Sequence, residues 1–142
     1  MVNDIVSGVT KAIYDAYGDG CRIYTENVEQ GLQEPCFFVA LTSCDQTRIV
    51  GNRYQKNIAV CVHYFPKGKA KKREMQDAAE VLYYVLERIA LSDGTMINGF
   101  WLHDEMADDV LHFFVTYRPI VMYQTEEEAS MEEAALCVKA VE

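Results

Sequence analysis

A chain of 142 residues, half of them hydrophobic and a quarter charged, has the length and balance of one globular domain. Its formal charge of −9 argues against a general DNA-binding role, which needs a surplus of Lys and Arg to neutralise phosphates. No apolar run approaches the ~20 residues that cross a bilayer as a helix, so no membrane partner is expected.

Five cysteines are present, Cys21, Cys36, Cys44, Cys61 and Cys137, with no C-x-x-C spacing among them. That pattern suits reduced, buried thiols better than a disulfide framework or a zinc motif. No basic n-region precedes an apolar core at the N-terminus, so the protein is expected to stay in the cytoplasm that makes it.

In chain order, residues 3–17 read as a helix. Ile5, Val6, Val9, Ala12, Ile13, Ala16 and Tyr17 follow helical spacing, Asn3 or Asp4 can cap the start, and Gly18 stops it. A Gly-Asp-Gly turn leads to a short strand over 21–25. A polar loop, 26–34, turns at Gly31, and Pro35 suits the first residue of the next strand. The run 36–42 is apolar without alternation, which predicts a strand buried on both faces.

After a connector over 43–52, residues 53–65 form a long strand with a polar first half and an apolar second half. Its polar end, with 42–51 as the other side, predicts a hairpin arm that projects past the core and can reach a neighbouring subunit. Pro66 and Gly68 end that strand. Lys67, Lys69, Lys71, Lys72 and Arg73 then form a basic run, read as a solvated loop or as a patch for an acidic partner.

Residues 73–91 read as the strongest helix. Met75, Ala78, Ala79, Leu82, Val85, Leu86 and Ile89 make its apolar face, which Val81 and Tyr84 widen toward a partner. Strands over 99–106 and 110–123 flank a turn at 107–109. Pairing Glu105 with Val110 would set Leu102 against Phe113, Phe100 against Val115 and His103 against His112. Residues 124–142 carry six acids and one base. They read as an acidic tail, with a short helix over 131–141 as one option.

The expected fold is α+β: a mixed, mostly antiparallel sheet of about five strands. Two amphipathic helices pack on one face, and a long hairpin arm extends from it. Residues 1–123 form the single domain and 124–142 the tail.

Little in the chain suggests catalysis. It has no P-loop, no G-x-G-x-x-G, no G-x-S-x-G and no H-E-x-x-H. His103, His112 and Glu105 make only a thin metal-site pattern without paired spacing. Cys61 and His63 share a strand face but lack a visible orienting group for a catalytic dyad. No catalytic residue, cofactor or metal is expected.

Three pieces of sequence carry a resemblance: Ile23-Tyr-Thr-Glu-Asn-Val-Glu-Gln-Gly-Leu-Gln-Glu-Pro-Cys-Phe-Phe38, then Gly51-Asn-Arg-Tyr54, then His63-Tyr-Phe-Pro66. Together with the start Met-Val-Asn-Asp-Ile-Val-Ser-Gly-Val, they resemble the small tail terminator, or tail completion, proteins of long-tailed phages and prophages. The order of elements is similar over residues 1–123, and the specific part is 23–66. Met131-Glu-Glu resembles the family's short close, and the chain runs on past it.

The resemblance implies a non-enzymatic virion protein, assembled in the host cytoplasm and found at the neck end of the tail. It implies a hexameric ring that caps the tail tube, stops its growth and meets the head connector. The partners implied are other copies of this chain, the tail tube protein and the connector, with no sequence-specific nucleic acid.

A closed ring needs two different patches on each subunit. The candidates are the loop (Glu26, Glu29, Gln30, Leu32), the arm (Asn52, Arg53, Tyr54) and Tyr84 on the second helix. The runner-up reading is a small α+β protein-binding module acting through the basic run, or another neck component.

Overall fold

The computed structural model describes residues 2–25 and 33–124, together with the backbone of 138–141. Helix α1 (Val2–Tyr17) buries Ile5, Val9 and Ile13, spaced so that they share one face. A 3-10 turn (Gly18–Gly20) leads into strand β1 (Arg22–Tyr24). Strands β2 (Cys36–Val50) and β3 (Arg53–Phe65) form the long hairpin. Helix α2 (Lys71–Val85) follows, then β4 (Arg88–Ala90), β5 (Met96–Ala107), β6 (Val110–Tyr117), β7 (Ile120–Tyr123) and β8 (Val138–Val141).

The strands lie in the order β1-β2-β3-β6-β5-β4, with β7 beside β3 and β8 beside β7. Among the described residues, only β1 and β2 pair in parallel. The α+β class, the mostly antiparallel sheet and the two helices on one face are as expected. Among the described residues the sheet has eight strands, against about five expected. The short strand expected over 21–25 is β1; the additional ones, β4, β7 and β8, have three or four residues, too few to carry a sequence period.

One face of the sheet carries the core. Along β6, Leu111, Phe113, Val115 and Tyr117 are buried, and the residues between them are half-buried. The buried set joins Phe37, Val39, Val60 and Val62 to Ile5, Val9 and Ile13 of α1 and to Met75, Ala78 and Leu82 of α2. Burying this apolar surface is the main drive for folding. Phe37 sits between Tyr17 and Tyr64, with ring centroids 4.9 and 4.8 Å away.

The expected burial of 36–42 on both faces does not hold. Phe37 and Val39 are buried, Phe38 and Ala40 are half-buried, and Leu41 is 45% exposed. Helices cover only one face, so the strand alternates despite its uniformly apolar sequence.

Three other expectations change. The helix expected over 73–91 ends at Val85, and Arg88–Ala90 pairs with β5 instead. Tertiary partners take over the carbonyls there: the buried Tyr117 hydroxyl donates to Leu86 O at 2.7 Å, and Gly99 N donates to Glu87 O at 2.6 Å. Gly99 is needed at this point, because a Cβ would lie 2.8 Å from Leu86 O and 2.7 Å from Val115 Cγ2.

The β5–β6 register is also shifted. Asp108 and Asp109 both take positive φ (53° and 61°) and close a two-residue turn. Ala107 therefore faces Val110, and Glu105 faces His112 rather than Val110. His103 meets Phe114 instead of His112, and Phe113 meets Asp104 instead of Leu102. A bulge between Phe100 and His103 sets Phe100 against Thr116 instead of Val115.

Finally, of the optional helix over 131–141, residues 131–137 lie outside those described. Val138–Val141 is an extended strand on β7.

Candidate functional site

The sheet and its arm position the exposed groups. Beyond a register shift at Thr42, whose hydroxyl donates to Ala59 O at 3.0 Å, β2 is exposed along its whole remaining length. Gly51 takes φ +57° at the tip, a conformation that glycine adopts without steric cost. Polar bonds hold the arm's root. Asn57 Nδ2 donates to Asp45 Oδ1 at 2.7 Å, and Arg118 Nε donates to Asn57 Oδ1 at 2.9 Å.

The arm is not a bare two-stranded ribbon. β7 pairs with its β3 side, setting Arg53 against Met122, Tyr54 against Val121 and Gln55 against Ile120. β8 then pairs with β7.

This pairing sorts the predicted arm residues. Asn52 is exposed, yet its Nδ2 donates to Tyr123 O at 2.7 Å and its carbonyl accepts from Tyr123 N at 3.0 Å. Tyr54 is half-buried within its own subunit. Its ring meets Tyr123 edge-on at 5.1 Å, and the Arg48 guanidinium lies 5.7 Å from its centroid. Arg53 is exposed at the tip. Tyr84, on α2, is 83% exposed. Glu26, Glu29, Gln30 and Leu32 lie outside the described residues. The structure therefore brings Asn52, Arg53 and Tyr54 together and places Tyr84 elsewhere, on the helical layer.

Two exposed groups escaped the sequence reading. Ile49 and Val50, beside the tip, are 51% and 64% exposed. Phe100 and Trp101, on β5, are 41% and 62% exposed, with Arg118 over both rings at 5.5 and 5.0 Å. Such cation–π packing favours a ring held in place at the surface. The available signal was the pair itself: two adjacent aromatics on one strand cannot both face the core. Trp101 takes φ 56° inside the bulge, which re-aims it.

The groups with chemical potential are arranged differently from either sequence pattern. His103 stacks on Phe114 at 4.6 Å, with its Nδ1 3.0 Å from Trp101 O, apart from His112. His112 instead lies opposite His63, on the strand that also carries Cys61. Burial pushes the Cys61 thiol up to about 11, with the Glu105 charge adding to it; burial also lowers His63, as does the neighbouring His112. A protonated thiol of that kind is a poor nucleophile.

A groove of about 960 Å³ runs between α1 and β1, past Val6, Thr10, Tyr14, Ile23 and Tyr24. Its lining includes no histidine to act as a base for Cys21. The basic run is exposed at its five charged residues, and Glu74 accepts hydrogen bonds from the Lys67 and Gly68 backbone at 3.2 and 3.0 Å.

The described residues thus present aliphatic, aromatic and cationic groups at the surface, at the arm tip and on β5. A family model, Phage tail terminator protein, matches residues 4–130. The chain belongs to the phage tail terminator family. No curated protein matches it. Membership makes it a structural protein of tail completion, a component of the virion tail that works through self-association and contacts with other tail and head proteins. The family is a structural one, not known for enzymatic activity. Among the described residues, no helix is long and apolar enough to cross a membrane.

Proposed function

We propose that this tail terminator forms a ring, a hexamer on the tail, at the head-proximal end of the tail tube. There it stops tube polymerisation and offers the joining surface for the head connector. The observation that carries this reading is the presence of two chemically different exposed patches on separate strands. The arm tip offers aliphatic Ile49 and Val50 beside cationic Arg53. Strand β5, three places from β2 across the sheet, offers Phe100 and Trp101 beneath Arg118.

A closed ring joins unlike patches of neighbouring copies, so one subunit needs two. Aromatic and Arg side chains are favoured at the centre of such contacts. Tyr84 gives the helical layer a well-exposed ring for the tube or the connector. The loop residues Glu26 and Glu29 are the acids we assign to a neighbour's Arg53. A net charge of −9 per subunit suits a ring through which DNA must pass without being gripped.

Electron microscopy of particles made without this gene tests the reading. Overlong tails, or finished tails unattached to filled heads, support it; normal joined virions overturn it. Complementation with Arg53→Glu sharpens the test. The monomer is expected to fold, because Arg53 is exposed, while ring or tube contact weakens. Unchanged capping by this variant would remove Arg53 from the interface.

A further inference from the structure

The sheet has a second face that the helices do not cover, and a small cluster of donors is built into it. Cys61 and His63 are two residues apart on β3, so both side chains leave the same face. His112 is the direct cross-strand partner of His63 on β6. The Cys61 sulfur and one nitrogen from each imidazole all lie within 4.8 Å of one another. The two rings meet edge to face, with centroids 4.7 Å apart. Cys61 is 2% exposed and both histidines are half-buried.

The surroundings hold this arrangement. Phe38 packs on His63 at 5.7 Å from the β2 side. Glu105 stands opposite His112 on the β5 side. His103, the third histidine, is engaged with Phe114 and the Trp101 carbonyl and stays out of the group. Among the described residues, neither His63 nor His112 makes a side-chain hydrogen bond within the protein, so each ring keeps a nitrogen available.

We propose that Cys61, His63 and His112 form a three-donor site for a zinc-class divalent ion that joins the two neighbouring strands β3 and β6. One sulfur and two imidazole nitrogens are the donor types that borderline-soft ions such as Zn²⁺ and Co²⁺ prefer. Metal bonds of about 2.3 Å to sulfur and 2.0–2.1 Å to nitrogen place tetrahedral donors roughly 3.5 Å apart. Loading therefore draws the three donors, now within 4.8 Å of one another, closer by side-chain rotation. On loading, the ion takes the place of the thiol proton, which leaves to solvent. The fourth position lies on the face away from the helices and takes water in the isolated protein.

The probe is Co²⁺ added to chelator-treated protein. The expected result is a near-ultraviolet thiolate-to-cobalt charge-transfer band with visible bands of a tetrahedral ion, saturating at one equivalent and displaced by Zn²⁺. Cys61→Ser is expected to abolish the charge-transfer band. His63→Gln and His112→Gln are each expected to weaken binding on the order of tenfold or more, by loss of a direct ligand. Cys44→Ser, at an exposed cysteine of the arm, is expected to change nothing.

Absence of saturable binding, or a charge-transfer band that survives Cys61→Ser, would overturn the proposal. Should Cys61→Ser fail to fold, His112→Gln, at a half-exposed position, decides alone: unchanged cobalt affinity counts against the site. None of these outcomes depends on ring formation, so the site and the capping role are tested separately.

Discussion

Strands β2 and β3 run side by side for their whole length, yet their two halves hold together for different reasons. In the inner half, Phe37, Val39, Val60 and Val62 are buried against both helices. In the outer half, every β2 residue from Ser43 to Val50 is exposed. Backbone pairing is antiparallel in both halves, with register shifts at Thr42 and near the tip. What differs is the source of stability: burial of apolar surface inside, and hydrogen bonds plus the added strands β7 and β8 outside. An isolated two-stranded hairpin is marginal in water, so the extra strands matter. Pairing by itself sets a direction for the chain, and burial decides which part of that direction is costly to disturb.

The largest expected effect is in the inner half. Phe37→Ala removes a ring packed between two tyrosines and leaves a cavity, at a cost of ~3–5 kcal/mol in denaturant unfolding. A loss below about 1 kcal/mol would erase the distinction between the halves.

An intermediate effect comes from alkali. Burial pushes Tyr17 and Tyr64 up to about 12. The folded protein therefore keeps both phenol protons up to that pH, while the unfolded chain releases them near 10. Their contribution to stability is complete below pH 10 and is lost as the pH rises from 10 through 12. Tyr64→Phe is expected to flatten that decline in pH-dependent melting, and an unchanged profile would count against Tyr64 as a source.

The smallest effect belongs to the arm. Asn57→Ala breaks the relay from Arg118 to Asp45 and is expected to cost about 1 kcal/mol or less. Hydrogen exchange should quicken in the arm while amides of the inner half keep their protection. Equal quickening in both halves would mean that they open as one unit.

The same contrast between local pattern and distant contacts governs what could be read in advance. Helix α1 was legible because Ile5, Val9 and Ile13 repeat at helical spacing and a glycine follows. The arm was legible because β3 changes from polar to apolar part-way along. The end of α2 was not, since Leu86 and Ile89 continue its apolar period and both are buried, although Ile89 is in a strand. The Tyr117 hydroxyl and the Gly99 amide, brought in from β6 and β5, take the Leu86 and Glu87 carbonyls, and Arg88–Ala90 pairs with β5.

The candidate surface divides in the same way. Arg53 and Tyr84 could be singled out by residue type and both prove exposed. Tyr54 could not be known to spend its ring on Tyr123, nor Arg118 to cover Trp101. The left-handed pair Asp108 and Asp109 set the β5–β6 register and put Glu105 rather than His103 beside His112, while the separate β3–β6 register put His63 on its other side.

By itself, the sequence determined the α+β class, the amphipathic helices, the projecting arm and the likeness to tail terminators. These follow from local periodicity, turn residues and a contiguous stretch of side chains. The tertiary structure decided which sheet face is covered, which aromatic rings stay at the surface, how β7 and β8 flank the arm, and that one cysteine and two histidines converge. Those outcomes depend on strand register and on contacts between distant segments, where a shift of one residue moves a side chain to the opposite face.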